Sequence, residues 1–251
     1  MFAMRRLFRV VRFILIVAAF TACSHHSNTG GAASILLFNG TGVSANDVEA
    51  TETILDKGHF SYTTVNSSEL DAMSLSQLKT HRLLIVPGGD FIAMGNSLTK
   101  TTAANIRLAV QHGLNYFGIC AGAFLAGNSA YYNGFNLTPG ITFGFYSAEN
   151  KGIRKAVVAV TSPGAATLDQ YWEDGPQLSN WGNVVAKYPD GTPAVSEGKY
   201  GSGFVVLAGI HAEAPTDWRS KMVFNTPVSA DNAYAATLIS AALNGAPLPH
   251  Y

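Results

Sequence analysis

The chain has 251 residues, of which 47% are hydrophobic and only 13% charged, and its 16 Lys and Arg are balanced by 16 Asp and Glu. A formal net charge of zero, with no basic block beyond the first dozen residues, leaves no electrostatic footprint for nucleic acid. Its 7 His and 2 Cys form no cluster with metal-ligand spacing, so no metal and no other cofactor is expected.

The N-terminus reads as an export signal over residues 1–23. Arg5, Arg6, Arg9 and Arg12 make a basic start, Phe13 to Phe20 an apolar stretch, and Thr21-Ala22-Cys23 a small-residue close. The apolar stretch falls short of the about 20 residues that span a bilayer. A Cys placed directly after small residues resembles the lipobox of bacterial lipoproteins, with Phe20 where that motif usually has Leu. The resemblance implies that Cys23 becomes the lipidated first residue of an envelope-anchored protein, facing the periplasm or outer surface. The alternative is an ordinary signal peptide cut near Ala22. Residues 24–33, rich in Ser, His, Asn and Gly, read as a flexible tether. Residues 34–251 then suit one α/β domain. If Cys23 is lipidated, Cys120 has no disulfide partner and stands as an unpaired thiol in an exported protein.

Within the domain, apolar runs alternate with helical patterns. Ser34–Phe38 is a short buried strand ended by Asn39-Gly40. Ser44 caps the next helix, with Asp47 in its first turn and Gly58 at its end. Phe60–Val65 alternates as a strand, and Leu70–Leu78 is weakly helical. Arg82–Val86 is a strong buried strand stopped by Pro87-Gly88-Gly89, and Thr102–His112 is a helix closed by Gly113. The next apolar run leads into Cys120. This order predicts a parallel sheet with helices on both faces. Further on, Lys155–Thr161 and Gly203–Ala208 read as strands, Asp231–Leu243 as a final helix, and Asp169–Pro176 as a turn-rich loop or short extension near the site.

The chemistry concentrates where predicted strands end, the edge at which open α/β sheets build their sites. In Gly118-Ile119-Cys120-Ala121-Gly122 a strand passes sharply into a small-residue helix, the layout of a nucleophile elbow with Cys in place of Ser. The helix N-terminus beneath the sulfur favours thiolate. After another strand, Gly88 and Gly89 in Pro87-Gly88-Gly89-Asp90 can turn backbone N–H groups toward a ligand. With the N–H of Ala121 they would make an oxyanion hole. After a third strand, Gly209-Ile210-His211-Ala212-Glu213 offers a base, His211, and a carboxylate, Glu213, to orient it. Tyr171 and Trp172 are candidates for the wall of a substrate cleft. Against each stands a plainer alternative: an inert core Cys, a glycine turn, a capping His with a surface Glu, and aromatics packed on a sheet edge.

These residues carry a family resemblance. Gly-Ile-Cys-Ala-Gly followed by His-x-Glu resembles the class I glutamine amidotransferase-like superfamily. Val-Pro-Gly-Gly-Asp, Tyr-Phe-Gly-Ile-Cys-Ala-Gly-Ala-Phe-Leu-Ala-Gly and Tyr-Trp-x-x-Gly-Pro resemble the biotin-protein-ligase N-terminal domain family. The resemblance implies a flavodoxin-like three-layer α/β sandwich with a mainly parallel sheet, Cys120 as nucleophile, His211 as base and Glu213 as its orienter. This chain has His-Ala-Glu where amidotransferases usually have His-Pro-Glu. It also has Ala121 where the intracellular-protease branch has His. The expected activity is an envelope-anchored cysteine hydrolase acting on a small-molecule or peptide amide or ester. The alternative is a binding or scaffold lipoprotein that retains the fold.

Overall fold

A computed structural model describes residues 33–146 and 155–251, so the expected signal, tether and lipidated Cys23 lie outside the described residues. In chain order the elements are β1 (Ile35–Phe38), α1 (Ala45–Lys57), β2 (Tyr62–Val65), α2 (Ser67–Ala72), α3 (Leu75–Leu78), β3 (Leu83–Val86), α4 (Phe91–Asn96), α5 (Lys100–Gln111), β4 (Asn115–Ile119) and α6 (Ala121–Ala126). There follow β5 (Gly144–Phe145), β6 (Lys155–Val160), β7 (Leu168–Glu173), β8 (Pro176–Gln177), β9 (Asn183–Lys187), β10 (Pro193–Tyr200), β11 (Gly203–Ala208) and α7 (Val228–Asn244).

The main sheet has seven strands in the order β2-β1-β3-β4-β11-β10-β9. The pairings from β2 through β11 are parallel, and β10 and β9 add an antiparallel edge. Strand alternation sorts the core into two layers. Ile35, Leu37, Leu83, Ile85, Phe117 and Val206 face one way and pack with Val48, Ile54 and Leu55 of α1 and Leu238 and Ile239 of α7. Leu36, Phe38, Leu84, Val86, Tyr116 and Leu207 face the other way and meet Leu70, Leu78, Ile106 and Val110 on the remaining helices. This is the three-layer sandwich expected. The short strands β1 and β3 are buried at every position, as parallel strands covered on both faces must be.

Local signals act as read. The Ser44 side chain accepts the Asp47 N–H at the start of α1, and Gly58 closes that helix. Two elements differ from expectation. The 70–78 stretch is two short helices, α2 and α3, each opened by its own capping box, Asn66 with Glu69 and Ser74 with Gln77. The expected loop or short extension over Asp169–Pro176 is mostly strand β7, paired antiparallel with β6 in a separate two-stranded sheet. Its polar side chains Asp169 and Gln170 are buried because partners later in the chain satisfy them. The Asn225 backbone and side chain both donate to the Asp169 carboxylate, and Gln170 donates to Asp231. No helix among the described residues is long and apolar enough to cross a membrane.

Candidate functional site

Four neighbouring strand ends converge. The turn after β1 leads to Asp47 on α1, β3 ends at Pro87-Gly88-Gly89, β4 ends at Cys120, and β11 leads to His211 and Glu213. Their side chains meet at the carboxyl edge of the sheet, where α/β folds place ligands.

Cys120 has φ 49° and ψ −104°, a conformation that costs a non-glycine residue energy and recurs where strain serves a site. Its backbone N–H donates to Ala208 O at 2.7 Å, tying the elbow to the end of β11. The flanking glycines are required by contact. A Cβ on Gly122 would sit 1.9 Å from Val86 O, and one on Gly118 would sit 2.5 Å from Gly122 O. The Cys120 thiol donates to Glu173 O at 3.5 Å, and its residue is 7% exposed.

His211 is buried between two aromatic rings, edge-on to Tyr171 and to Trp218 at 5.8 and 5.7 Å between centroids. Its backbone N–H donates to Tyr171 O, which fixes the loop after β11 against β7. The Nδ1 atom lies 2.8 Å from Glu213 Oε1 and 3.1 Å from Asp47 Oδ1. With Nδ1 committed to carboxylates, Nε2 is the ring nitrogen left for another partner. Burial would lower the His211 pKa, but the negative charges of Cys120, Glu213 and Asp47 outweigh it and hold it well above the ordinary value. Burial pushes the Glu213 carboxyl up, with His211 opposing. Burial also acts to raise Asp47, yet attraction to His211, with help from Ser44 and the Gly88 backbone, holds that carboxyl below its usual range.

Asp47, His211 and Glu213 offer ligand atoms within 4.8 Å of one another. Tetrahedral ligand atoms around a zinc ion stand roughly 3.3 Å apart given metal bonds of about 2.0–2.2 Å. The 2.8 Å between Nδ1 and Glu213 is instead a hydrogen-bond separation. The cluster is therefore better suited to holding a proton than a cation.

Cys120 and His211 open on one cavity of about 700 Å³ that also takes in Gly89, Asp90, Ala121 and Tyr171. Phe91, Phe124 and Phe145 form its apolar wall, with Phe91 and Phe124 stacked at 4.4 Å. Among the described residues, the backbone N–H groups of Gly89 and Ala121 donate to no protein acceptor, so both remain available to a ligand oxygen. Asp90 caps α4, accepting the N–H groups of Ile92 and Ala93.

Two expected site residues belong elsewhere. Gly88 packs against Asp47 and His211 outside the cavity lining; its carbonyl accepts the Ser44 N–H, and its backbone helps hold the Asp47 carboxylate. Trp172 does not line the cavity. It is 2% exposed, faces the core and donates from Nε1 to Gly175 O, because alternation along β7 turns it away from Tyr171. Sequence reasoning missed Asp47 and Trp218. Asp47 sits at the third position of a capped helix, where an acidic residue already has a local explanation.

Residues 33–241 match the model of the family described as biotin-protein ligase, N terminal. The chain belongs to that family. A search of curated proteins finds no match to it. Among solved structures it is similar to a glutamine amidotransferase from Methylobacillus flagellatus, at 10% identity and a TM-score of 0.51, covering 88% of this chain and 98% of that one. It is also similar to an exo-beta-1,4-mannosidase from Opitutaceae bacterium strain TAV5, at 12% identity and TM-score 0.52, over 82% of this chain and 36% of that one. A beta-galactosidase from Bacillus circulans sp. alkalophilus gives 12% and 0.50, over 86% and 32%. The chain thus spans about a third of the length of the two glycosidases. At these identities the likeness is one of fold, and for this biotin-protein-ligase N-terminal family member that fold is amidotransferase-like.

Proposed function

We propose that the protein is an amidotransferase-like cysteine hydrolase that cleaves a small-molecule or peptide amide or ester through a thioester on Cys120. The observation that carries this reading is the opening of a strained Cys120 and a buried, carboxylate-bound His211 onto one cavity. In the proposed reaction, the thiol proton already resides on His211, as its raised pKa requires, and Sγ attacks as the thiolate, forming a bond to the carbonyl carbon. The carbonyl electron pair moves to oxygen, where the N–H groups of Gly89 and Ala121 receive it. His211 then returns the proton to the leaving amine or alcohol as that bond breaks. Water, deprotonated by His211, repeats the attack and releases the acid. Glu213 keeps the ring oriented throughout. The aromatic wall suits an acyl group with an apolar portion. The basic start, apolar stretch and Cys23 support export and lipid anchoring to the bacterial envelope.

The deciding experiment is labelling with an electrophilic amide analogue, read by mass spectrometry of the Cys120 peptide. Wild type is expected to form the adduct, with Cys120→Ser unlabelled and His211→Ala slowed by about 10²–10⁴, the usual contribution of a general base. Equal, slow labelling of wild type and His211→Ala would replace the hydrolase by a binding or scaffold protein on the same fold.

A further inference from the structure

Asp47 has a local role that does not account for where its side chain lies. An acidic residue in the first turn of α1 needs only to lie near the helix N-terminus, which is usually wet. Asp47 is instead 7% exposed, with Oδ1 3.1 Å from His211 Nδ1. That oxygen makes no aligned hydrogen bond, because the single Nδ1 proton points to Glu213 Oε1. A buried carboxylate oxygen without a donor is costly unless a positive charge stands beside it. The protonated imidazole is that charge, alongside the smaller help of Ser44 and the Gly88 backbone.

The backbone makes room for this contact. A Cβ on Gly88 would lie 2.1 Å from Asp47 Oδ1 and 2.8 Å from His211 Cε1, although Gly88 has no left-handed φ to explain a glycine. Glycine at the end of β3 is what lets α1 deliver a carboxylate to the ring.

We infer that Asp47 is a second positioning carboxylate for His211, which holds positive charge on the imidazole by proximity while Glu213 fixes the ring by its hydrogen bond. The two acids divide the work. Glu213, in line with the N–H, sets the tautomer and the direction of Nε2. Asp47, off that line, supplies charge. The pair is consistent with the opposed shifts of the two carboxyls, Glu213 up and Asp47 down. The catalytic meaning of the inference rests on the hydrolase reading, since a thiol proton moves to His211 only if the charged ring is stabilised.

The groups facing the ring are Asp47 from α1, Cys120 from the elbow, Tyr171 from β7, and Glu213 and Trp218 from the ring's own loop. The test therefore removes the thiol first. In a Cys120→Ala background, the ring titration of His211 is followed by NMR with the other residue at position 47 or 213. Asp47→Asn is expected to lower proton affinity by at least about tenfold, equivalent to one pKa unit. Asp47→Glu is expected to restore most of it. Glu213→Gln is expected to broaden or move the ring resonances through lost orientation while retaining the Asp47-dependent part of the shift. If Asp47→Asn lowers thermal stability but leaves the His211 midpoint where it was, Asp47 serves only the N-terminus of α1 and the inference falls. The same result with Asp47→Ser would exclude compensation by the amide. The hydrolase reading fails separately, on an inert Cys120 in wild type, and does so whatever the His211 midpoint does.

Discussion

Arg219 and Asp231 meet at 2.9 Å beneath the loop that carries Trp218 onto His211. Both are buried, and the pair is surrounded by donors and acceptors. Gln170 and Thr226 donate to Asp231 Oδ1, and Arg219 also reaches the carbonyls of Asp169 and Thr226. The network joins β7, the 211–227 segment and the start of α7, so it holds one wall of the cavity in place.

Burial pushes the Asp231 carboxyl up to about 6, with Arg219 and Thr226 opposing. A folded-state pKa above the unfolded one means that the native state binds more protons across the interval between them. The stability this group contributes is therefore full below about pH 4, the unfolded carboxylate range, and is lost as pH rises through the folded value. Wild type should lead Asp231→Asn by most in acid, and the lead should shrink between pH 4 and 7. Thermal unfolding of both proteins across that range is the check. A lead that grows with pH would show that the ion pair with Arg219 governs the site instead of burial.

The elbow makes a second prediction. Gly122→Ala puts a Cβ against Val86 O at 1.9 Å, and backbone on both sides prevents easy relief. The variant should lose about 1–3 kcal/mol, the usual cost of overpacking, and Cys120 should lose its alkylation rate as the elbow relaxes. Ala121 to Gly at the neighbouring position has no such clash and serves as the comparison. A Gly122→Ala protein with unchanged melting and unchanged Cys120 reactivity would mean that the turn is not under this constraint. Gly89 cannot be probed as simply. Its φ of 146° and a Cβ contact of 2.3 Å to Gly42 O mean that Gly89→Val would disturb the fold along with any oxyanion contact.

The parts of the site legible in the sequence were those with a local cause. The strands β1, β3, β4 and β11 are apolar runs cut off by glycine or by the elbow, so their carboxyl ends could be located and Cys120, His211 and Glu213 assigned to one edge. What escaped depends on distant partners. Strand β7 reads as a loop because Asp169 and Gln170 are polar, and only Asn225 and Asp231, more than fifty residues later, make them acceptable inside. In β10, Glu197 is 1% exposed because its carboxylate accepts the Leu248 N–H. Asp47 was hidden by a sufficient local explanation, an acidic residue in the first turn of a helix. Gly88 held the unused clue, a glycine beyond the one that the turn's backbone demands.

Export and anchoring are tested independently of the domain. Cys23→Ala should abolish metabolic labelling with palmitate and release the protein from the membrane fraction, while the folded domain keeps its melting temperature. Undiminished labelling would assign the lipid elsewhere. Loss of labelling with retention in the membrane fraction would point to an uncleaved N-terminal segment as the anchor.

The final prediction concerns how Cys120, His211 and Glu213 depend on one another. The Nδ1 to Oε1 contact of 2.8 Å and the raised His211 pKa mean that the ring is held, and charged, by its surroundings. Groups that act as a unit lose function non-additively. His211→Ala should slow alkylation of Cys120 at neutral pH nearly as much as it slows turnover. Glu213→Gln should be milder, since an amide oxygen can accept the Nδ1 proton but carries no charge to stabilise the imidazolium. Adding Glu213→Gln to His211→Ala should cost little more, because the orienter has nothing left to orient. The sign with pH also follows. His211 bears its proton well above the ordinary range, so the stability it contributes is full below about pH 6.5, falls as pH rises from there, and is lost once pH has passed through that higher folded value. Wild type should therefore lose stability relative to His211→Ala from neutrality upward into alkali. Alkylation rates of wild type, both single variants and the double variant, each with a melting curve against pH, make the measurement. Additive losses in the double variant would mean that His211 and Glu213 affect Cys120 by separate routes, and the coupled Cys-His-Glu mechanism would be rejected.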